Sequence, residues 1–234
     1  MSGNNVQYCF EFSDGSEWRC DVAMDSEYQE RSAELPEWTR LGFYQCSHCP
    51  LSTTEVNYCP YAVALLGPAK ATADRPSHEP VAVSVNVRDR EVRAETTLQR
   101  AMGSLLGLIG PFSGCPVTAI LRPMARYHLP LSSPEETVVR AFSTYLLGQY
   151  LRDQHNESAD WSMQGLRRIY ADLRQLNLGM SQRLRASQKE DAGVNSFVLL
   201  DLLAADVGYA LDQYEGELDE SFGEFLSDAS RKTE

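Results

Sequence analysis

Val6-Gln-Tyr-Cys-Phe-Glu-Phe-Ser-Asp-Gly-Ser-Glu-Trp-Arg-Cys-Asp-Val22 alternates apolar and polar residues on both sides of Ser13-Asp14-Gly15-Ser16, the pattern of a β-hairpin over residues 6–24. Its register can be derived. A two-residue loop on Asp14-Gly15 pairs Cys9 with Cys20, but it puts Tyr8, Phe10 and Phe12 on the face opposite Trp18, Cys20 and Val22. A three-residue loop with Gly15 left-handed pairs Phe10 with Trp18, Tyr8 with Cys20 and Val6 with Val22. It gathers every large apolar side chain on one face, and a buried face specifies register strongly. The second register is therefore expected, with Cys20 turned to the core, Cys9 turned outward and no disulfide between them.

Downstream, Val81-Ala-Val-Ser-Val-Asn-Val87 alternates strictly and reads as a third strand. Between them lie a polar connection over 25–40, with Leu35-Pro36-Glu37-Trp38 as its anchor, an apolar helical turn at 61–66, and a Pro/Ala/Ser-rich loop at 68–80. From Thr96 onward the pattern is helical. Leu98, Met102, Leu105, Leu106 and Ile109 form one stripe, and Gly103 and Gly107 sit four apart where a second helix can approach closely. Pro111, Pro116, Pro123 and Pro130 limit residues 111–130 to short turns. Ser133-Pro134-Glu135-Glu136 is a capping-box start for a helix to about Gln154, burying Val138, Phe142, Tyr145, Leu146 and Tyr150. Further helices are expected over about 159–177, 194–214 and 218–226, with residues 181–192 as a charged connection. The fold class is α+β: a small N-terminal antiparallel sheet, the hairpin plus one strand, packed on a C-terminal helical bundle. The chain reads as one domain over 1–234, with sheet and cysteine loop in 1–90 and the helical part in 91–230.

Composition bounds the function. Hydrophobic residues at 43% and charged residues at 23% describe a globular chain with an ordinary core. The N-terminus has neither a basic start nor an apolar run, and the run from Phe197 to Ala205 is interrupted by Asp201, so neither a secretory leader nor a membrane span is expected. The expected location is cytoplasmic. A net charge of −12 argues against general binding to nucleic acid or an anionic membrane. The charge is uneven: residues 193–230 carry nine acids and no Lys or Arg, whereas 88–126 carry six Arg against three acids. Those arginines are expected to pair with the acidic C-terminal segment, which could otherwise serve a protein partner. Nothing in the sequence sets the oligomeric state.

Two groups could carry chemistry. Cys46, Cys49 and Cys59, with Cys115 in Ser113-Gly114-Cys115-Pro116, could supply four thiolates to one metal. His48, His78 and His128 are substitute ligands. A zinc ion is placed ahead of an iron–sulfur cluster, although three of the four cysteines precede proline as cluster ligands often do. The second group is Cys115 as nucleophile and His128 as base, with Arg122 and Arg126 holding an anionic small molecule. The two readings exclude each other, because a metal-bound Cys115 cannot attack a substrate. No phosphate-binding, dinucleotide-binding or metalloprotease motif is present in the sequence.

The opening hairpin, Pro36-Glu37-Trp38-Thr39, Gln45-Cys46-Ser47-His48-Cys49-Pro50-Leu51, Ser113-Gly114-Cys115-Pro116 and Pro123-Met-Ala-Arg-Tyr-His-Leu-Pro130 together resemble a family of uncharacterised bacterial proteins. The resemblance spans most of the chain and implies a bacterial, single-domain cytoplasmic protein. It implies no activity. The expected function is a four-cysteine metal-binding protein with a structural or regulatory role; an enzyme built on Cys115 and an interaction module on the acidic C-terminus are the alternatives.

Overall fold

A computed structural model describes residues 5–25, 34–214, 216 and 218–228. Strands β1 (Asn5–Phe12) and β2 (Glu17–Ala23) form the hairpin in the expected register, with Phe10 opposite Trp18, Tyr8 opposite Cys20 and Val6 opposite Val22. Gly15 takes φ +80, the left-handed conformation that the three-residue loop requires. Cys9 and Cys20 are both free thiols. Arg75 ties the loop down through Asp14 and Ser16, and its guanidinium lies 3.6 Å from the centre of the Phe12 ring.

After a short 3-10 turn at Glu37–Thr39 come helices α1 (Pro60–Ala64) and α2 (Leu66–Ala71), then strands β3 (Pro80–Val87) and β4 (Arg90–Thr97). The sheet is fully antiparallel in the order β2-β1-β3-β4. The fourth strand corrects the three-stranded expectation. Arg90-Glu-Val-Arg-Ala-Glu-Thr-Thr97 is an edge strand, largely open to solvent, so it lacks the apolar alternation that marks a half-buried one. Its charged side chains also discourage pairing with a further strand.

Val6, Tyr8, Phe10, Phe12, Val22, Val81, Val83, Val85 and Val87 turn inward into the main core. Helix α3 (Leu98–Phe112) contributes the expected Leu98, Met102, Leu105, Leu106 and Ile109 to that core. Short helix α4 (Arg122–Arg126) lies in the proline-broken segment. Helices α5 (Pro134–Gln154), α6 (Gln164–Arg185), α7 (Ala192–Asp212) and α8 (Gly223–Asp228) complete the chain. Helix α7 is long and apolar enough by composition to cross a membrane, but here it packs against α3, α5 and α6. The close approach foreseen at α3 is made with α7: an added Cβ at Gly103 would lie 3.5 Å from the Ser196 carbonyl oxygen, and one at Gly107 would lie 3.2 Å from Leu200.

The helical region departs from the sequence reading most at α5 and α6, while α6 and α8 also start later than expected, at Gln164 and Gly223. Ser133 caps α5 with the full capping box, yet among the residues expected to be buried on this helix only Val138 is; Tyr150 is exposed and Phe142, Tyr145 and Leu146 are partly so. The C-terminal half of α5 is largely exposed, with Leu147, Tyr150 and Leu151 open to solvent. Helix α6 continues through Gly179 to Arg185 instead of stopping there. Gly179 is a contact point, where an added Cβ would meet the Tyr44 carbonyl at 3.2 Å and Cys46 Sγ at 3.4 Å. A second, smaller core joins α5, α6 and α7 through Val138, Ala141, Tyr170, Leu173, Ala204 and Val207.

Candidate functional site

The cysteine segment lies along α6. Arg183, almost wholly buried, donates to the carbonyls of Trp38 (2.7 Å), Arg40 (2.7 Å) and Leu41 (2.9 Å), pinning the start of this segment to the helix. Cys59 and Cys115 are buried, Cys46 and Cys49 partly so, and all four pack into the main core. Burial pushes the Cys46 thiol up to about 12, reinforced by Cys59, Cys49 and Cys115. Burial likewise raises Cys59 and Cys115; the Arg183 charge and then the amides of Ala62 and Tyr61 oppose it at Cys59, and the amides of Thr118 and Val117 at Cys115. Among the described residues, neither ring nitrogen of His48 has a hydrogen-bond partner, nor has Arg183 Nε.

The metal reading is overturned by this geometry. Among the described residues no group of three or more His, Cys, Asp or Glu side chains is arranged to hold a metal ion. Cys46, Cys49, Cys59 and Cys115 share one apolar region, but they do not form a four-thiolate clamp for zinc or an iron–sulfur cluster. They pack as small hydrophobic side chains, a common fate of buried free cysteine.

The catalytic reading is not assembled either. Cys115 is buried with a raised pKa, the opposite of an activated thiolate. His128 bonds elsewhere: its Nε2 lies 2.6 Å from the Tyr8 hydroxyl. Arg122 donates to the Pro111 carbonyl at 2.9 Å, and Arg126 reaches Asp25 at 3.2 Å on the surface. Among the described residues, the arginines expected to pair with the acidic C-terminus do not: Arg93 pairs with Glu91, and Arg88 lies over the Tyr127 ring. Asp201 and Asp212 instead take Arg174 and Arg167 of α6. Helix α8 exposes Phe225 and Leu226, while residues 215, 217 and 229–234 lie outside the described residues.

A different feature brings part of the second group together. Between α3, the 118–132 segment, α5, α6 and α7 lies a cavity of about 560 Å³ with mostly apolar walls, including Leu121, Leu129, Leu173, Leu200 and Leu203. Gly103, Gly107 and Gly110 line its α3 side. The prolines that interrupt 111–130 keep that segment from closing over it as one long helix.

Polar groups converge on the cavity. Ser104 Oγ accepts from the Leu131 amide at 3.0 Å and lies 2.8 Å from the Tyr8 hydroxyl, which contacts His128 Nε2. Burial pushes His128 down to about 3 and raises Tyr8 far above its usual range. A chain in which Ser104 donates to Tyr8 and Tyr8 donates to Nε2 is consistent with a neutral imidazole that carries its proton on Nδ1. Arg140 donates to the carbonyls of Met124 (3.1 Å) and Tyr127 (3.4 Å), and Arg100 to that of Leu131 (3.4 Å). His128 was legible in the sequence as a polar residue in an irregular segment. Tyr8, Ser104 and Arg140 were not, because each comes from an element that reads as ordinary sheet or helix.

A family described as a domain of unknown function (DUF6901) matches residues 6–223. No curated protein and no solved structure matches the chain.

Proposed function

We propose, for a chain that belongs to this family of unknown function, that it binds a small, largely apolar molecule in the cavity between its two cores. The cavity itself carries the reading. Its volume falls in the range of ligand sites, roughly 300–1,000 Å³, and it joins apolar walls to a few convergent polar groups. Its lining includes the exposed Leu129 and Leu202, so the space opens to solvent and a ligand can enter it. The space therefore holds solvent or a ligand, and leucine walls favour an apolar ligand over water.

The experiment is titration with N-phenyl-1-naphthylamine, a neutral dye that fluoresces in apolar surroundings. Saturable binding near one dye per chain is expected, accompanied by a rise in melting temperature with dye concentration. Leu203→Trp, which fills the cavity from α7, should remove the binding while leaving a cooperative melt. Absence of saturable binding to the wild-type protein overturns the proposal.

A further inference from the structure

The cavity is electrically lopsided. Its charged lining is Arg100 and Arg140 against Asp206, on a protein whose net charge is −12. Neither arginine has a carboxylate within ion-pair distance among the described residues. Arg100 is exposed, so water can hydrate it; Arg140 is only partly exposed, its hydrogen bonds go to carbonyl oxygens, and Glu136, one helical turn before it, acts on its charge from beyond ion-pair distance. Those carbonyls solvate a guanidinium but do not neutralise it. Taking a charge out of water without an opposite charge is costly, and a planar guanidinium is matched best by a two-oxygen anion.

We infer that the ligand of this cavity is an amphipathic carboxylate, its apolar tail among the leucines and its head group on Arg140 with Ser104 and His128 alongside. The inference rests on the reading that the cavity binds a ligand. A single interior cation sets a single negative charge on the head. A neutral His128 can share a hydrogen bond with that head without adding a second buried charge.

The test is displacement of N-phenyl-1-naphthylamine at neutral pH by dodecanoate, dodecanol and dodecylamine, compounds with the same tail and different heads. Dodecanoate should displace the dye at a concentration roughly tenfold lower than dodecanol, the factor expected of one charge-assisted contact. Arg140→Gln should collapse that ratio toward one, and Arg140→Lys should keep part of it. Equal displacement by dodecanoate and dodecanol in the wild-type protein overturns the head-group assignment and leaves the cavity reading standing, whether or not the variants fold. Preferential displacement by dodecylamine overturns it in favour of recognition at Asp206. Failure of the dye itself to bind overturns both readings.

Discussion

Arg183→Met tests how the cysteine segment is held to the helical layer. The guanidinium makes three short bonds to the carbonyls of Trp38, Arg40 and Leu41 from a nearly fully buried position. Methionine matches much of the side-chain volume, so the change removes the donors without opening a large cavity. Each bond from a charged donor contributes about 1.5–3 kcal/mol net, and the loss leaves the carbonyls short of partners. Set against this is relief from desolvating a cation, which burial makes costly and which already lowers the Arg183 pKa. The balance is a loss of about 4 kcal/mol. With a urea m-value of ~2 kcal/mol/M, the unfolding midpoint should fall by about 2 M at unchanged slope. Arg183→Lys keeps the charge but lacks the fork, and should recover only part of the loss. A loss below about 1 kcal/mol for the methionine variant would refute the reasoning, because the carbonyls would then find other partners or need none.

Two further outcomes follow from the same geometry. His128 is held neutral, with its pKa depressed from 6.5 to about 3, so the unfolded chain binds the proton first. The stability associated with the neutral ring is therefore complete above about pH 6.5 and lost as the pH falls toward 3, at up to ~1.4 kcal/mol per pH unit. Denaturation between pH 6.5 and 4.5, above the usual carboxylate range, should show that slope in the wild-type protein and a flatter one in His128→Gln; identical slopes would remove His128 as the cause. Gly179→Ala should lower the melting temperature although alanine is the better helix former by about 1 kcal/mol, because its Cβ meets the Tyr44 carbonyl at 3.2 Å. A higher melting temperature would mean that the loop yields to the methyl group.

Local information was enough for the elements whose signals lie within one segment. The hairpin register followed from putting Tyr8, Phe10, Trp18 and Val22 on one face, and the Ser133 capping box marked the start of α5. β4 escaped because an edge strand has little apolar surface to bury, leaving no period for the sequence to display. The end of α6 was misplaced for a related reason. Gly179 looks like a helix terminator until the loop at Tyr44 and Cys46 is seen pressing against it.

The sequence by itself determined the α+β class, the register of the first two strands, most helix spans and the membership in a recognisable family. Only the tertiary structure decided what the chemistry-bearing residues do. A spacing of cysteines states which sulfurs could meet, but whether they converge on an ion depends on the relative placement of segments 46–59 and 115, and this fold packs them as core. Conversely, Ser104, His128 and Arg140, which line one cavity, and Tyr8, which bonds the first two, come from α3, the segment after α4, α5 and β1, separated by up to 132 residues between Tyr8 and Arg140. Periodicity can report that each faces inward. Which inward-facing groups share one cavity is set by how sheet and helices pack, and that is a property of the assembled chain.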